Sequence, residues 1–178
     1  MHTEQWILIA INVVGGILVI GSYVQGFMAH PDSGNVLWGG VPQSIRPLYT
    51  LCMIPAALGY FAFSYFIIFR LDPDVVKIGG FFDFRIFLAI YALILFPSAL
   101  WMPLTHAMLN NPGAGLLWSI RISLAVVGIA ALCLLASLLT LDTKEPATAY
   151  WAAVAGSAAF CLQTAVLDAV VWNIYFKY

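Results

Sequence analysis

Residues 124–139 read LAVVGIAALCLLASLL. The run holds no charge, its apolar residues do not alternate, and no polar stripe follows one side. A strand of a membrane barrel alternates apolar and polar residues, and the helix of a soluble domain keeps one polar face. This stretch does neither, so it reads as a helix whose whole circumference suits hydrocarbon. Ile86–Leu95 has the same character. Working outward, five such stretches fill the 178-residue chain, at 6–28, 47–69, 86–108, 117–141 and 150–176. Each has about twenty residues or more, which at ~1.5 Å rise per residue covers a ~30 Å hydrocarbon core. The expected fold class is all-α: a polytopic membrane protein, one five-transmembrane-helix bundle over 1–178.

The composition agrees. Hydrophobic residues make up 63% and charged residues 8%, against about 25% charged in a soluble domain. With short connections there is no room for an attached soluble domain. The net charge of -1 offers nothing to nucleic acid or to a polybasic lipid-binding surface. The start, Met1-His2-Thr3-Glu4, lacks the basic residues of a secretory signal, so the first span is expected to be retained. Cys52, Cys133 and Cys161 fall on three spans without a CxxC and read as small packing residues. No internal repeat points to a solenoid or an inverted-repeat transporter.

Five spans put the two ends on opposite sides. Side A, the N-terminal side, receives loop 70–85 and the connection 142–146. Side B receives loop 29–46, the turn 110–115 and the C-terminus. Side A carries Arg70, Lys77, Arg85 and Lys144, and side B carries Arg46, Arg121 and Lys177. Four against three sets no orientation by the positive-inside rule. His30-Pro31-Asp32-Ser33-Gly34 stops the first helix, Asp72-Pro73-Asp74 ends the second, and Asn111-Pro112-Gly113 reverses the chain between the third and fourth. Pro55, Pro97 and Pro103 lie inside spans, where a lost backbone hydrogen bond kinks the helix and opens space beside it. Ser22/Gly26, Ala152/Gly156 and Ala155/Ala159 are small pairs four apart that let helix backbones approach, within the bundle or between subunits.

Asp168 is the acid well inside a span. A charge there needs the bundle interior, or water, and a partner. Arg46 and Arg121 reach the same side-B level, so a structural ion pair of Asp168 with one of them is expected. His30 and His106 share that side and raise a haem or metal reading, but no ligand spacing supports it and no metal site is assigned. No serine, histidine or acid stands in a catalytic motif, so no catalytic residue is assigned. Trp118, Tyr175 and Tyr178 read as the aromatic belt of any membrane protein. Trp101 lies between Pro97 and Pro103, where a large ring at a kink makes a wall for a flat apolar ligand.

Ser98-Ala99-Leu100-Trp101-Met102-Pro103-Leu104 is similar to the Asn-x-x-Trp-x-Pro segment in the third helix of the TspO (tryptophan-rich sensory protein/translocator protein) family, with serine for asparagine. Pro47-Leu48-Tyr49-Thr50-Leu51 is similar to that family's Pro-x-Trp-Thr-x-Leu, with tyrosine for tryptophan. Pro42 matches a proline before that helix, Leu162-Gln163 stands where the family has Leu-Asn, and the loop Trp38-Gly39-Gly40-Val41-Pro42 is loosely similar to its first loop. The chain thus resembles a divergent TspO member. The resemblance implies a five-helix bundle, often dimeric, that binds, senses or transports flat hydrophobic molecules such as porphyrins or sterols beneath its first loop. Some members have been associated with light-dependent porphyrin degradation. Trp38, Pro42, Arg46, Tyr49, Trp101, His106 and Asp168 are the candidate ligand-binding residues. No cofactor is obligatory, and porphyrin or haem enters as ligand. The partners expected are the lipid bilayer, a hydrophobic small molecule, and a second copy or a larger membrane complex. Two other readings stand beside it: a structural accessory subunit of a larger complex, and a haem- or quinone-bearing redox subunit using His30 and His106.

Overall fold

The computed structural model of the chain describes residues 1–31 and 33–176. Asp32 of the first turn, the side-B cation Lys177 and the belt residue Tyr178 lie outside the described residues. Among the described residues there are five long helices: α1 (Thr3–Ala29), α2 (Arg46–Arg70), α3 (Arg85–Asn110), α4 (Ala114–Leu139) and α5 (Ala147–Tyr175). Each is long and apolar enough to cross a membrane, as an integral membrane protein requires. The fold is the all-α, five-span one, with its ends at opposite poles.

α1 begins earlier than hydropathy suggests, because its polar first turn is a satisfied helix start. The His2 N–H donates to Gln5 Oε1 at 2.8 Å, and the buried Gln5 amide donates onward to Ile68 O at 2.7 Å and Leu71 O at 3.2 Å. One side chain thereby caps α1 and ties it to the end of α2.

Around the bundle α1 packs on α3, α3 on α4, α4 on α5 and α5 on α2, with a slighter contact closing α2 to α1. Glycines set the closest crossings. A Cβ on Gly59 of α2 would run into the backbone of Gly156 on α5, and one on Gly156 would come 2.6 Å from Gly59 Cα. Gly128 of α4 lies against Ala165 and Ala169 of α5. Gly26 of α1 receives Met102 and His106 of α3. Gly26 and Gly156 therefore serve packing within the bundle.

At side A, Gly79 and Gly80 take positive φ (59° and 74°), a backbone that favours glycine. This turn lets Ile78 pair with both Phe82 and Leu141, closing the end of the bundle. The core has two parts. Phe63, Phe66, Phe84, Phe87, Tyr91 and Tyr150 fill the side-A half. Tyr49, Met108, Ile120, Leu167, Trp172 and Phe176, with Val41 of the long loop, fill the side-B half.

Candidate functional site

The long side-B loop is stitched to the end of α5. Trp172 Nε1 donates to Leu37 O at 3.0 Å, the Gly40 N–H donates to Tyr175 O at 3.1 Å, and Gly39, at φ 55°, lies against Phe176. A helical turn, Ser33–Val36, sits within this loop. Beneath it, aromatic rings run from α1 to α5: Tyr23 to Trp101 at 5.8 Å between centroids, Trp101 to Trp172 at 5.9 Å, and Trp172 stacked on Phe176 at 4.2 Å. Trp38 meets Tyr49 edge-on at 5.4 Å, and the Tyr49 hydroxyl donates to Leu167 O at 2.7 Å.

α5 changes pitch here. Leu162–Trp172 is a π-helix, a rare form that occurs frequently at functional sites. Gln163 and Asp168 are five apart, and an α-helix would set them on well-separated faces. The wider π turn brings them together, and Gln163 Nε2 donates to Asp168 Oδ1 at 2.9 Å. Nothing in the residue types of this segment announces the pitch.

The expected ion pair is not made: among the described residues no cation lies within ion-pair distance of Asp168. Arg46 donates through Nε to Val41 O at 3.1 Å and lies 5.4 Å from the Trp38 ring centre. Arg121 lies 5.4 Å from that of Trp118. Both cations reach the side-B level as expected, and each stacks on a tryptophan.

Of the candidate residues, Tyr49, Trp101, His106 and Asp168 lie in the side-B interior. Trp38 covers Tyr49 from the loop. Pro42 holds the loop turn, its carbonyl accepting from Ile45 N at 3.0 Å, and Arg46 lies on the outer face. His30 and His106 stack face to face, 4.2 Å between centroids and 19° between planes. A ring nitrogen binds a metal in the plane of its own ring, and two nearly parallel planes share no such point. In this arrangement the pair does not ligate one iron.

One property sets this half apart. Among the described residues, the buried side-chain polar atoms without a hydrogen-bond partner are Trp101 Nε1, His106 Nε2, Arg121 Nε, Gln163 Oε1 and Asn173 Oδ1. All five lie in the side-B half. Buried polar groups are normally paired, and each exception asks for an explanation. Tyr23 and Asn173 are not among the candidate residues expected from the sequence. For Tyr23 a signal existed: residues 23, 26 and 30 share one helical stripe, which sets the tyrosine in line with the Gly26 notch and His30.

Compared with known proteins, the chain matches no protein-family model, no curated protein and no solved structure.

Proposed function

We propose that the side-B half of the bundle binds a flat hydrophobic small molecule carrying polar groups at its edge, of the porphyrin or tetrapyrrole class, for sensing or transport. The carrying observation is the set of unpartnered buried polar atoms beside a run of aromatic rings. An aromatic wall gains from a flat apolar body, while Trp101 Nε1 offers a donor and Gln163 Oε1 an acceptor to polar edge groups. Pockets for such ligands are largely apolar with a few placed polar groups. The rings lie against one another beneath the loop, so entry requires Trp101 and Tyr23 to part, and the Pro97 and Pro103 interruptions in α3 give that segment fewer backbone bonds to hold it. The likeness of Trp101–Pro103 to the TspO segment supports the same reading.

The test is titration of the purified protein with protoporphyrin, following tryptophan quenching. Wild type is expected to saturate. Trp101→Leu removes a stacking surface of about 1 kcal/mol or more, so affinity falls several-fold, where about 1.4 kcal/mol is tenfold. Trp118→Leu, at the exposed start of α4, leaves it nearly unchanged. Equal binding by all three reduces Trp101 to packing. No binding by wild type removes the reading and puts the accessory-subunit role first.

A further inference from the structure

The outer face of α2 carries a groove at its side-B end, about 580 Å³, lined by Gln43, Arg46, Pro47, Thr50, Leu51 and Ile54. Its upper end is polar. Its lower end is apolar and open, with Leu51 69% and Ile54 61% exposed. Arg46 is the first residue of the helix. A helix of 25 residues is ~37 Å long at ~1.5 Å per residue, longer than the ~30 Å hydrocarbon core, so its ends reach the level of lipid headgroups.

Two positive features coincide at this end. The N-terminus of a helix carries about half a positive charge and free N–H groups, and anions favour it. Here the first turn holds no acidic residue and no side chain caps it; Pro47 has no N–H, and the Leu48 and Tyr49 N–H groups donate to Ile45 O, so the pole offers its dipole and not free donors. Arg46 adds a full charge at the same pole, where the dipole disfavours a cation. Its guanidinium is held by the Nε–Val41 O bond and by Trp38. Among the described residues its Nη groups donate to nothing and it has no ion pair. An oriented guanidinium with a free edge is suited to two-point binding of a phosphate.

The opposite end of α2 makes the contrast. A second groove there, about 750 Å³, is headed by Arg70 and lined by Phe61, Tyr65, Pro146 and Ala149 among others. Arg70 also stacks on an aromatic ring, that of Tyr65, and donates to the same residue's hydroxyl. It is the last residue of the helix, the pole that favours a cation. Arg70 stands at the helix pole that favours its charge, and Arg46 at the pole that does not.

We propose that the Arg46 groove is a binding site for a phospholipid of the side-B leaflet. The phosphate sits on the Arg46 Nη groups, and one acyl chain lies along Leu51 and Ile54. The occupant is a lipid, not free phosphate, because the cation opens directly onto an apolar channel that runs toward the membrane centre.

The experiment is native mass spectrometry of the full chain, delipidated in detergent and titrated with dioleoyl-phosphatidylglycerol. Wild type and Arg70→Gln are expected to take up one lipid with similar affinity, and Arg46→Gln to bind it about tenfold more weakly. Leu51→Trp fills the exposed apolar end with Arg46 intact, and is expected to weaken binding comparably while melting like wild type. Millimolar inorganic phosphate leaves the lipid in place. The proposal is overturned if Arg46→Gln binds within twofold of wild type, or if Arg70→Gln loses as much. Displacement by inorganic phosphate, or unchanged binding by Leu51→Trp, would make it a plain anion site and overturn it too.

Discussion

The two halves of this bundle are built from the same helices and finished to different degrees. In the side-A half the buried polar groups are paired, most of them across helices. The Tyr60 hydroxyl donates to Asn12 Oδ1 at 2.6 Å, Asn12 Nδ2 donates to Leu8 O at 2.8 Å, and Ser64 and Tyr91 share a hydrogen bond of 2.9 Å. The Tyr150 hydroxyl donates to Leu138 O at 3.2 Å, and Gln5 serves two carbonyls. In the side-B half five buried polar atoms have no partner among the described residues, α5 leaves the α pitch, and α3 carries two prolines. Hydrocarbon supplies no hydrogen bonds, so unpaired groups cost more there than in a soluble protein. One half reads as scaffold, and the other is left with hydrogen-bonding capacity that a ligand can use.

The largest effect expected from this contrast is at the glycine crossings. Gly59 meets the backbone of Gly156, which cannot step aside, whereas Gly26 meets Met102 Cγ at 2.6 Å and His106 Nε2 at 3.2 Å, both on side chains. Overpacking costs about 1–3 kcal/mol, and alanine returns up to ~1 kcal/mol of helix propensity. Gly59→Ala is expected near the top of that range, and Gly26→Ala below ~1 kcal/mol, read from denaturant titration in detergent. Equal losses would mean that the side-B interior is as unyielding as the crossing, and the contrast would break.

A smaller pair of substitutions tests polar pairing directly. Tyr91→Phe removes the hydroxyl that Ser64 meets and leaves a buried serine without its partner, a loss of about 1–3 kcal/mol. His106→Phe preserves a ring to stack on His30 and deletes two ring nitrogens, of which the buried Nε2 has no partner among the described residues, so stability should move by less than ~0.5 kcal/mol. Thermal melts of the two variants under one condition decide it. A large loss at His106 would show that Nε2 has a partner in the folded protein.

The span count and the extent of each helix were legible from runs such as 124–139, because in lipid a helix must be apolar all round. The exceptions were helix starts: α1, α4 and α5 each begin three residues before the apolar run, and in α1 Thr3, Glu4 and Gln5 are helical through a cap that hydropathy does not register. Of the site, Trp101, His106, Tyr49 and Asp168 were found as polar or aromatic residues at one depth. Their relations were not legible. The charge on Arg121 suggested a partner for Asp168, but that guanidinium stacks on Trp118, three positions away on the same helix. The π pitch that joins Gln163 to Asp168 lies where Gly128 of α4 admits Ala165 and Ala169 of α5, and no local residue pattern announces it.

Asp168 gives the smallest expected change and the sharpest reading of the side-B half. Had it paired with a buried arginine, removing its charge would strand that cation at a cost of about 3–5 kcal/mol. Instead its only hydrogen bond among the described residues comes from Gln163, and an unpaired carboxylate inside a bundle is itself unfavourable. Asp168→Asn keeps an oxygen to accept from Gln163 Nε2 and adds an amide donor beside Gln163, whose Oε1 is unpartnered. The two amides can then exchange hydrogen bonds while the charge is gone. Stability in detergent is therefore expected to stay within ~0.5 kcal/mol of wild type or to rise, because no cation among the described residues loses a partner. A drop of about 3 kcal/mol would show that Asp168 holds a cation in the folded protein, and the side-B interior would then be as fully paired as the side-A half.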